Sequence, residues 1–458
     1  MEKPSLPKGT RDFGPAVMAK RQFILNTIRQ VFQRFGFQPL ETPAMENLTT
    51  LTGKYGDEGD QLLFKILNSG DYLKDVTSEK LLAHNSKALT RDISEKGLRY
   101  DLTVPFARFV VMNRNEVTFP FKRYQIQPVW RADKPQKGRY REFYQCDADV
   151  VGTNSLICEA EIILMISDVF QRLDIQNYTI KMNHRGILAG LAEIIGAAGN
   201  ETALFVAIDK LDKIGEARVR EELTEKGFDG QSLDKLFEVL NLRLPNMEKI
   251  AFLKQRFAGS ESGTKGVSEI ERVLDLVKGF DAPISNIEFD IALARGLSYY
   301  TGCIFEVKIN NVAIGSVSGG GRYDKLTASF GDKENLSGVG FSFGVDRIYD
   351  AMEELNLFPK SASASSKVLV CHFDEPTLRF GLSLLTKLRN NNIAAEIYPE
   401  LSKLKKQLDY ANKKGIPFAI VIGSDEMTTG MLSLKNMEKG EQQKLPIQEV
   451  IEQLANNE

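Results

Sequence analysis

The stretch RYQIQPVWRADKPQKGRYREFYQCDAD, residues 123–149, decides the fold. Side chains of a strand alternate between its two faces, so every second residue of this stretch shares a face. Its middle, ADKPQKG, holds a proline, a glycine and two lysines, which is the composition of a loop joining two strands of a hairpin. The sequence therefore predicts an antiparallel sheet over residues 98–151.

The two faces of the predicted hairpin differ in chemistry. The even positions suit a core; they are Tyr124, Ile126, Pro128 and Trp130. The odd positions are mostly polar; they are Arg123, Gln125, Gln127, Val129, Arg131, Arg139, Arg141, Phe143, Gln145, Asp147 and Asp149. A solvated outer face is one interpretation. The other interpretation is a site for a nucleotide beside an amino acid, because arginine binds phosphate in a bidentate way and an aromatic ring stacks on a base.

Glycine-rich segments come late in the chain. LARGLSYYTG (293–302) places Arg295, interpreted as a strand residue, before two tyrosines. GGGRYD (319–324) is predicted to be a turn that allows close backbone approach. GVGFSFGVDR (338–347) has the spacing G-x-G-x-x-x-G, one residue too long for the dinucleotide fingerprint. Glycines inside a strand weaken it, which suggests that something flat lies against them.

The remaining pattern divides the chain into three units and predicts an α+β fold. Residues 16–35 read as an amphipathic helix with Gly36 at its C-cap, and the extended FQPLETP ends at Pro43. A second strand-rich block covers 286–349, and strand–helix alternation follows SASASS. The predicted units are a domain in two blocks (1–186 and 282–358), a mainly helical insertion (187–281), a linker (359–366) and a C-terminal α/β domain (367–458).

Composition excludes several classes of protein. The net charge is −2, which gives no hint of nucleic-acid binding by itself. No run of about 18 apolar residues suggests a membrane span, and MEKPSLPKGT lacks the apolar core of a signal peptide. The four cysteines show no C-x-x-C spacing, so we expect free thiols, no zinc and a cytoplasmic location. The scattered histidines are interpreted as ordinary residues; they are His84, His184 and His372.

Taken together, these segments resemble a known family. Three segments are similar to the three motifs of class II aminoacyl-tRNA synthetases: the helix and strand ending at Pro43, the hairpin with Arg131 and Phe143, and GVGFSFGVDRI. LARGLSYYTG with GGGRYD resembles the two signature segments of the histidyl-tRNA synthetases. The similarity extends from KGTRDFGP (8–15) to a C-terminal module that resembles an anticodon-binding domain. It implies activation of histidine with ATP and Mg²⁺ to histidyl-adenylate and pyrophosphate, transfer to tRNA(His), and a homodimer.

The resemblance also assigns residues, and it implies that the first block and 282–358 form the catalytic domain. The ATP residues would be Arg131 at the α-phosphate, Asp133 and Phe143 at adenine, and Arg139 and Arg347 at the β- and γ-phosphates. Arg295 resembles the catalytic arginine, a second cation at the α-phosphate. The histidine residues would be Asp101, Thr103 and Gln145 at the ammonium, Asp149 and Tyr300 at the imidazole, Tyr299, and Tyr323 closing the pocket. Asp101 and Thr103 are expected on one face of a strand, RYDLT. The Mg²⁺ ligands are not identified.

Two positions depart from the family pattern, and two alternatives remain. Ser298 stands where many members carry an acidic residue, and Asp101 where others have glutamate. One alternative is a non-catalytic paralogue that serves as the regulatory subunit of ATP phosphoribosyltransferase; such proteins typically lack the C-terminal module and signature residues that this chain keeps. The other is a class II synthetase for threonine, proline or glycine, which the histidine signatures oppose.

A lysine-rich helix is predicted near residues 403–414 of the C-terminal module. Its lysines are Lys403, Lys405, Lys406, Lys413 and Lys414. They form either a solvated charged face or a surface for phosphates of the anticodon stem.

Overall fold

The computed structural model describes residues 3–197, 199–282, 285–295, 299–332, 334–359 and 366–456, except for the side chains of residues 57 and 58. The chain divides into two units, one of Met1–Arg11 with Ile24–Leu357 and the other of Asp12–Phe23 with Phe358–Glu458. The predicted α+β class is confirmed. Among the described residues, no helix has both the length and the hydropathy needed to cross a membrane.

An eight-stranded sheet organises the first unit. The strands of this unit are β1 (Gln38–Pro39), β2 (Met45–Asn47), β3 (Lys65–Ile66), β4 (Lys96–Leu98), β5 (Phe121–Trp130), β6 (Glu142–Val151), β7 (Tyr178–His184), β8 (Ile287–Phe289), β9 (Cys303–Ile309), β10 (Ser318–Tyr323) and β11 (Gly338–Gly344). The large sheet has the order β1-β5-β6-β11-β10-β9-β7-β8, and a small one has the order β2-β4-β3. Within the large sheet, β1–β5 and β7–β8 pair in parallel and the other neighbours are antiparallel.

Helices flank this sheet and fill the segment between β7 and β8. They are α1 (Pro15–Arg34), α2 (Leu48–Leu51), α3 (Gly56–Gln61), α4 (Ser78–Leu82), α5 (Ser86–Ile93), α6 (Thr103–Met112), α7 (Ile157–Arg172), α8 (Arg185–Ile194), α9 (Glu201–Ile208), α10 (Leu211–Ile214), α11 (Glu216–Glu225), α12 (Gly230–Leu240), α13 (Asn246–Arg256), α14 (Glu261–Gly279) and α15 (Val345–Glu354). The helices α8–α14 lie between β7 and β8, in the segment where a mainly helical insertion was predicted.

The part of helix α1 that belongs to the first unit packs against one face of the large sheet. The ring of Phe32 lies 5.7 Å from that of Tyr124 in β5 and 6.2 Å from that of Phe343 in β11. Gly36, with φ of 80°, ends the helix as predicted, since glycine adopts the left-handed conformation without a Cβ clash. Tyr124 of β5 therefore faces the apolar core, whereas Ile126, Pro128 and Trp130, which were also predicted to suit a core, are only partly buried. Arg123 and Gln125, at odd positions, lie on the opposite face.

The prediction of continuous strands over 98–151 is wrong, because α6 interrupts them. RYDLT is not a strand: Asp101 precedes α6 and Thr103 is its first residue. Asp101 Oδ1 accepts the backbone N–H of Val104 at 3.0 Å, which satisfies one of the free donors of the first helical turn. Val104, Ala107 and Val110 are buried at three-residue spacing, a helical pattern.

Three predictions for the second strand block are also wrong. GGGRYD is not a turn, because Ser318–Tyr323 is the central strand β10. Its glycines leave room for neighbours: a Cβ on Gly319 would lie 1.7 Å from Arg295 Nη1. The block ends at Gly344 rather than at residue 349, so Arg347 lies on α15, and Arg295 lies outside the strands.

The second unit contains a five-stranded sheet. Its elements are β12 (Val368–Cys371), α16 (Glu375–Asn390), β13 (Ala395–Ile397), α17 (Leu404–Lys414), β14 (Phe418–Val421), α18 (Ser424–Thr429), β15 (Met431–Asn436), β16 (Gln442–Pro446) and α19 (Ile447–Asn456). Strands β13, β12 and β14 are parallel, as the alternation predicted. Strands β15 and β16 add an antiparallel edge that was not predicted. Most of the predicted linker lies outside the described residues.

Candidate active site

A cavity of about 560 Å³ opens on the large sheet, within the size range of sites for small molecules. Every residue that the resemblance assigned to ATP or histidine lines it: Asp101, Thr103, Arg131, Asp133, Arg139, Phe143, Gln145, Asp149, Arg295, Tyr299, Tyr300, Tyr323 and Arg347. Residues from both strand blocks thus meet in one place.

Asp147 and Asp149, on the polar face of the hairpin, line this cavity, and Arg123 and Gln125 lie beside them on the same face. Arg123 pairs with Asp149 across β5 and β6, and Gln125 pairs with Asp147. All four side chains are buried, and the two aspartates are each 2 % exposed. The interpretation of this face as a solvated outer surface is therefore wrong for these positions, because strands and helices from the rest of the first unit enclose it.

Guanidinium groups collect in one part of the cavity, here called the arginine part (Arg131, Arg139, Arg295 and Arg347). Arg347 on α15 donates from Nε to the carbonyl of Gly138 at 2.8 Å. Its pKa is lowered, first by burial and then by the guanidinium groups of Arg139 and Arg131, with a smaller contribution from Arg295. Like charges held this close favour an anion among them.

Arg295 reaches the arginine part from a strained backbone position. Its φ is 49°, in the left-handed region, where a residue with a side chain costs about 1–3 kcal/mol and where functional residues are often found. Its Nη1 donates to the carbonyl of Phe305 at 3.1 Å and lies 3.7 Å from Glu306 Oε2. Ser298, which departs from the family pattern, lies outside the described residues.

An aromatic ring and a carboxylate border the arginine part. The guanidinium carbon of Arg131 lies 5.2 Å from the centre of the Phe143 ring, and Arg139 lies 3.6 Å from the carboxylate of Asp133. Phe143 is half-buried and lines the cavity. This arrangement suits a stacked base whose exocyclic amino group needs an acceptor.

Three buried carboxylates, Asp101, Asp147 and Asp149, form a second region, here called the acidic part. Asp101 accepts the hydroxyls of Tyr55 at 3.1 Å and Tyr299 at 3.3 Å. Burial raises the pKa of Asp101, while the hydrogen bonds that it accepts oppose this shift. A carboxylate so placed attracts a cation that reaches it from the cavity.

Asp149 is held by two partners. It accepts the hydroxyl of Tyr323 at 2.6 Å, and its Oδ2 lies 2.8 Å from Nη2 of the fully buried Arg123. Burial raises the pKa of Asp149, and the Arg123 charge lowers it. Gly340 on β11 makes room for this carboxylate, since a Cβ there would lie 2.0 Å from Asp149 Oδ1. The flat neighbour expected beside the β11 glycines is thus a side chain of the protein itself.

Buried oxygen atoms without a donor concentrate near the acidic part. Among the described residues, Asp147 Oδ1, Gln145 Oε1 and Gln125 Oε1 are shielded from solvent and accept no hydrogen bond. Leaving a buried polar atom unsatisfied costs about 1–3 kcal/mol, so such atoms are rare in proteins. A ligand rich in N–H donors would satisfy those that face the cavity.

Several lining residues were not predicted as site residues. Asp147 stood on the face identified in the sequence, and the alternation of β6 could have singled it out. Tyr55, which precedes α3, and Glu306 on β9 belong to no recognised motif, and only the fold brings them to the cavity. Lys210 and Lys213, between α9 and α11, line it as well. Their sequence context is that of an ordinary charged surface.

One cluster outside the cavity, among the described residues, has the spacing of metal ligands. The ligand atoms of His184, Glu269 and Cys303 lie within 4.8 Å of one another. His184 Nδ1 accepts the N–H of Gly186 at 2.9 Å, and Nε2 lies 2.9 Å from Glu269. Burial raises the pKa of the Cys303 thiol well above its usual value. Since both ring nitrogens have protein partners and the thiol stays protonated, these contacts account for the cluster without an ion.

Comparisons with known proteins agree with these observations. Residues 89–348 match the family described as histidyl-tRNA synthetase, and residues 367–457 match the anticodon binding domain. The histidine–tRNA ligase of Cytophaga hutchinsonii is 60% identical over 454 residues, covering 99% of this chain and 100% of that protein. That of Phocaeicola vulgatus is 57% identical, covering 96% of each. The crystal structure of histidyl-tRNA synthetase from Nostoc sp. PCC 7120 has a TM-score of 0.85 at 29% identity, covering 100% of both chains.

Proposed function

The chain belongs to the histidyl-tRNA synthetase family, and from this premise we propose how its cavity performs the reaction. The protein is an aminoacyl-tRNA ligase that activates histidine with ATP to histidyl-adenylate and pyrophosphate, then transfers histidine to the 3′ end of tRNA(His). The match over nearly the full length opposes both alternatives, the regulatory subunit and a synthetase for another amino acid.

The observation that carries the residue assignments is the division of the cavity. The arginine part has like charges that need an anion, and the acidic part has buried acceptors that need donors. ATP supplies phosphate anions, and histidine supplies an ammonium group and a ring N–H. The two substrates therefore complement the two parts of the cavity.

Arg131 and Arg295 act on the reacting phosphate. When the histidine carboxylate attacks the α-phosphorus, the bond to pyrophosphate breaks and negative charge builds on the phosphate oxygens. Two guanidinium groups already in place stabilise that charge best. A carboxylate is a sufficient nucleophile at neutral pH, so positioning and electrostatics supply the rate and no general base is required.

The other residues of the arginine part bind the rest of ATP. Phe143 stacks on adenine, Asp133 accepts its amino group, and Arg139 and Arg347 hold the β- and γ-phosphates. Mg²⁺ when bound would neutralise the pyrophosphate that leaves. Glu306 fits as an oxygen ligand for it, because its carboxylate lines the cavity beside Arg295 and is 23% exposed.

The acidic part binds histidine. Asp101, Thr103 and Gln145 receive the ammonium group, and Asp149 and Tyr300 contact the imidazole. Tyr323 closes the pocket and orients Asp149 through its hydroxyl. Tyr299 orients Asp101 in the same way.

Domain division, assembly and location complete the proposal. The catalytic domain comprises 1–186 and 282–358, with 187–281 as an insertion, 359–366 as a linker and 367–458 as the anticodon-binding domain. The protein acts as a cytoplasmic homodimer without a zinc site. Sedimentation at micromolar concentration tests the dimer, and a monomer would contradict it.

The decisive experiment is ATP–pyrophosphate exchange measured with each standard amino acid. We expect exchange with histidine and none that is appreciable with the others. Equal exchange with threonine or proline, or no exchange at all, would contradict the proposal.

A further inference from the structure

Three alternate residues of β6, Gln145, Asp147 and Asp149, line the cavity. Alternate residues on one face of a strand are about 7 Å apart, so Asp147 lies between the residue proposed for the ammonium and the one proposed for the ring. Across the sheet it pairs with Gln125 on β5 and with Ser342 on β11. The proposed reaction gives Asp147 no role, although it is 2% exposed and carries a carboxylate.

The residues already assigned to the ammonium group are Asp101, Thr103 and Gln145, and Asp101 has little acceptor capacity to spare. The group has three N–H donors, and a carboxylate accepts about four hydrogen bonds. Asp101 already accepts three, from the hydroxyls of Tyr55 and Tyr299 and from the N–H of Val104. It therefore has room for about one more.

Two buried acceptors close to Asp101 in the cavity lack a donor. Gln145 donates from Nε2 to Ser342 Oγ at 2.8 Å, and its Oε1 has no partner among the described residues. Asp147 Oδ1 has none either, within the same part of the chain. Arg123 makes its ion pair with Asp149, at 2.8 Å, rather than with Asp147.

We propose that Asp147 is a further binding residue for the amino acid, and that its Oδ1 receives the ammonium group together with Gln145 Oε1, Thr103 and the remaining acceptor of Asp101. The inference rests on the proposed function, because the ligand is the amino acid of that reaction. It adds a second carboxylate to the ammonium site and distinguishes Asp147 from Asp149, which contacts the ring.

The charges around Asp147 agree with a site completed by a cation. The pKa of Asp147 is raised to about 7, mainly by burial. The charge of Arg123 on β5 and the Ser342 hydroxyl on β11 lower this pKa. The charges of Asp149 on β6 and of Asp101 before α6 raise it. An ammonium group at Oδ1 lowers the pKa again. Ligand binding near pH 7 should therefore release a proton from this carboxylate.

The test uses histidinol, which keeps the ammonium group and the ring but has no carboxylate to react. Calorimetry of the full-length protein in two buffers of different ionisation enthalpy gives both the affinity and the protons released. Asp147→Asn removes the negative charge opposite the ammonium group and puts a donor amide in place of one oxygen. We expect it to weaken histidinol binding on the order of ten- to a hundredfold, the scale of a hydrogen bond between charged groups. The proton release at pH 7 should fall by the share that Asp147 contributes.

A matched control separates binding from support of the fold. Gln125 is buried beside Asp147 on the same face but does not line the cavity, so Gln125→Met should leave histidinol affinity unchanged. Unchanged affinity in Asp147→Asn would overturn the inference, as would weaker binding with unaltered proton release and a lower melting temperature. Failure of the unmodified protein to bind histidinol would instead overturn the proposed function.

Discussion

The two sheets of this chain bury different chemistry. The five-stranded sheet buries apolar residues on both faces: Val368, Val370 and Ile420 belong to one core cluster, and Leu369, Cys371 and Ala419 belong to another. The eight-stranded sheet is apolar where α1 packs, and on its other face it buries Arg123, Gln125, Asp147 and Asp149. Apolar burial stabilises a fold by itself, whereas polar burial without partners costs free energy. The large sheet thus buries polar atoms whose missing hydrogen bonds are left for a ligand to make.

The largest effect should come from Arg295, whose guanidinium belongs to the arginine part. Arg295→Ala should slow adenylate formation by a factor on the order of a hundred or more, because a charge-stabilising group held in place for the transition state is lost. Single-turnover formation of histidyl-adenylate measures this rate. Histidine affinity should change far less, since Arg295 lies with the phosphate-binding residues. An unaffected rate would show that Arg295 is not catalytic.

Asp149 should matter for both the ligand and the fold. Asp149→Asn replaces the carboxylate at the imidazole with a neutral amide, which keeps only one acceptor oxygen. It should reduce histidine affinity on the order of tenfold or more and weaken selectivity, because a site built to hydrogen-bond a polar group discriminates by needing it. It also leaves the charge of Arg123 buried without its ion pair, which should lower stability. Histidine binding and thermal unfolding test the two effects. Survival of both affinity and selectivity would place the ring contact elsewhere.

Replacing Asp147 should change the stability of the fold in the opposite direction to replacing Asp149. The folded pKa of Asp147, about 7, lies above that of the unfolded chain, about 3.9, so the folded protein holds a proton that the unfolded chain releases. Stability from this group is therefore present below pH 4 and is lost as the pH rises to about 7. Asp147→Asn should raise the free energy of unfolding at pH 8 and leave it little changed at pH 4, as denaturant titrations can measure. A lower stability at pH 8 would contradict this account.

The contrast between the sheets also explains which features the sequence could predict. Alternation along β5 and β6 identified the face that carries Arg123 and Asp149, since strand periodicity depends only on neighbouring residues. The parallel strands β12, β13 and β14 were predicted because each is a short apolar run between helices. The site residues came from motifs that resemble a family, and all of them line one cavity.

Features that depend on distant neighbours were not predicted. The glycines of β10 look like a turn in sequence, and only their neighbours in the fold explain them: the guanidinium of Arg295 over Gly319, the β11 backbone beside Gly320 and the Cys303 carbonyl beside Gly321. Tyr55 contacts Asp101 across a fold that no local pattern encodes. Asp147 was on the identified face, but its missing hydrogen bond is visible only once its neighbours on β5 and β11 are in place.

The smallest effect on function should come from the lysines of α17, in the second unit. They lie at the surface of this unit, whose sheet has an apolar interior. Lys406 lies 2.8 Å from Glu400, and Lys414 lies 2.7 Å from Glu396, so these two already have partners. Lys405 and Lys413 are exposed and form no ion pair in the described part of the chain. They are the better candidates for contacts with tRNA phosphates.

Replacing Lys405 and Lys413 together by alanine should therefore weaken tRNA binding modestly and reduce its salt dependence. Each phosphate contact that is lost lowers the log–log slope by about 0.7–0.9, because fewer counterions are released on binding. The matched control is Lys406→Ala with Lys414→Ala, which removes the same charge but from lysines held by glutamates, and it should change the slope less. Histidine-dependent pyrophosphate exchange should stay unchanged in both variants, because it needs only small molecules in the cavity of the first unit. Equal slopes in all three proteins would mean that this face is merely solvated and that tRNA is held by another surface of the chain.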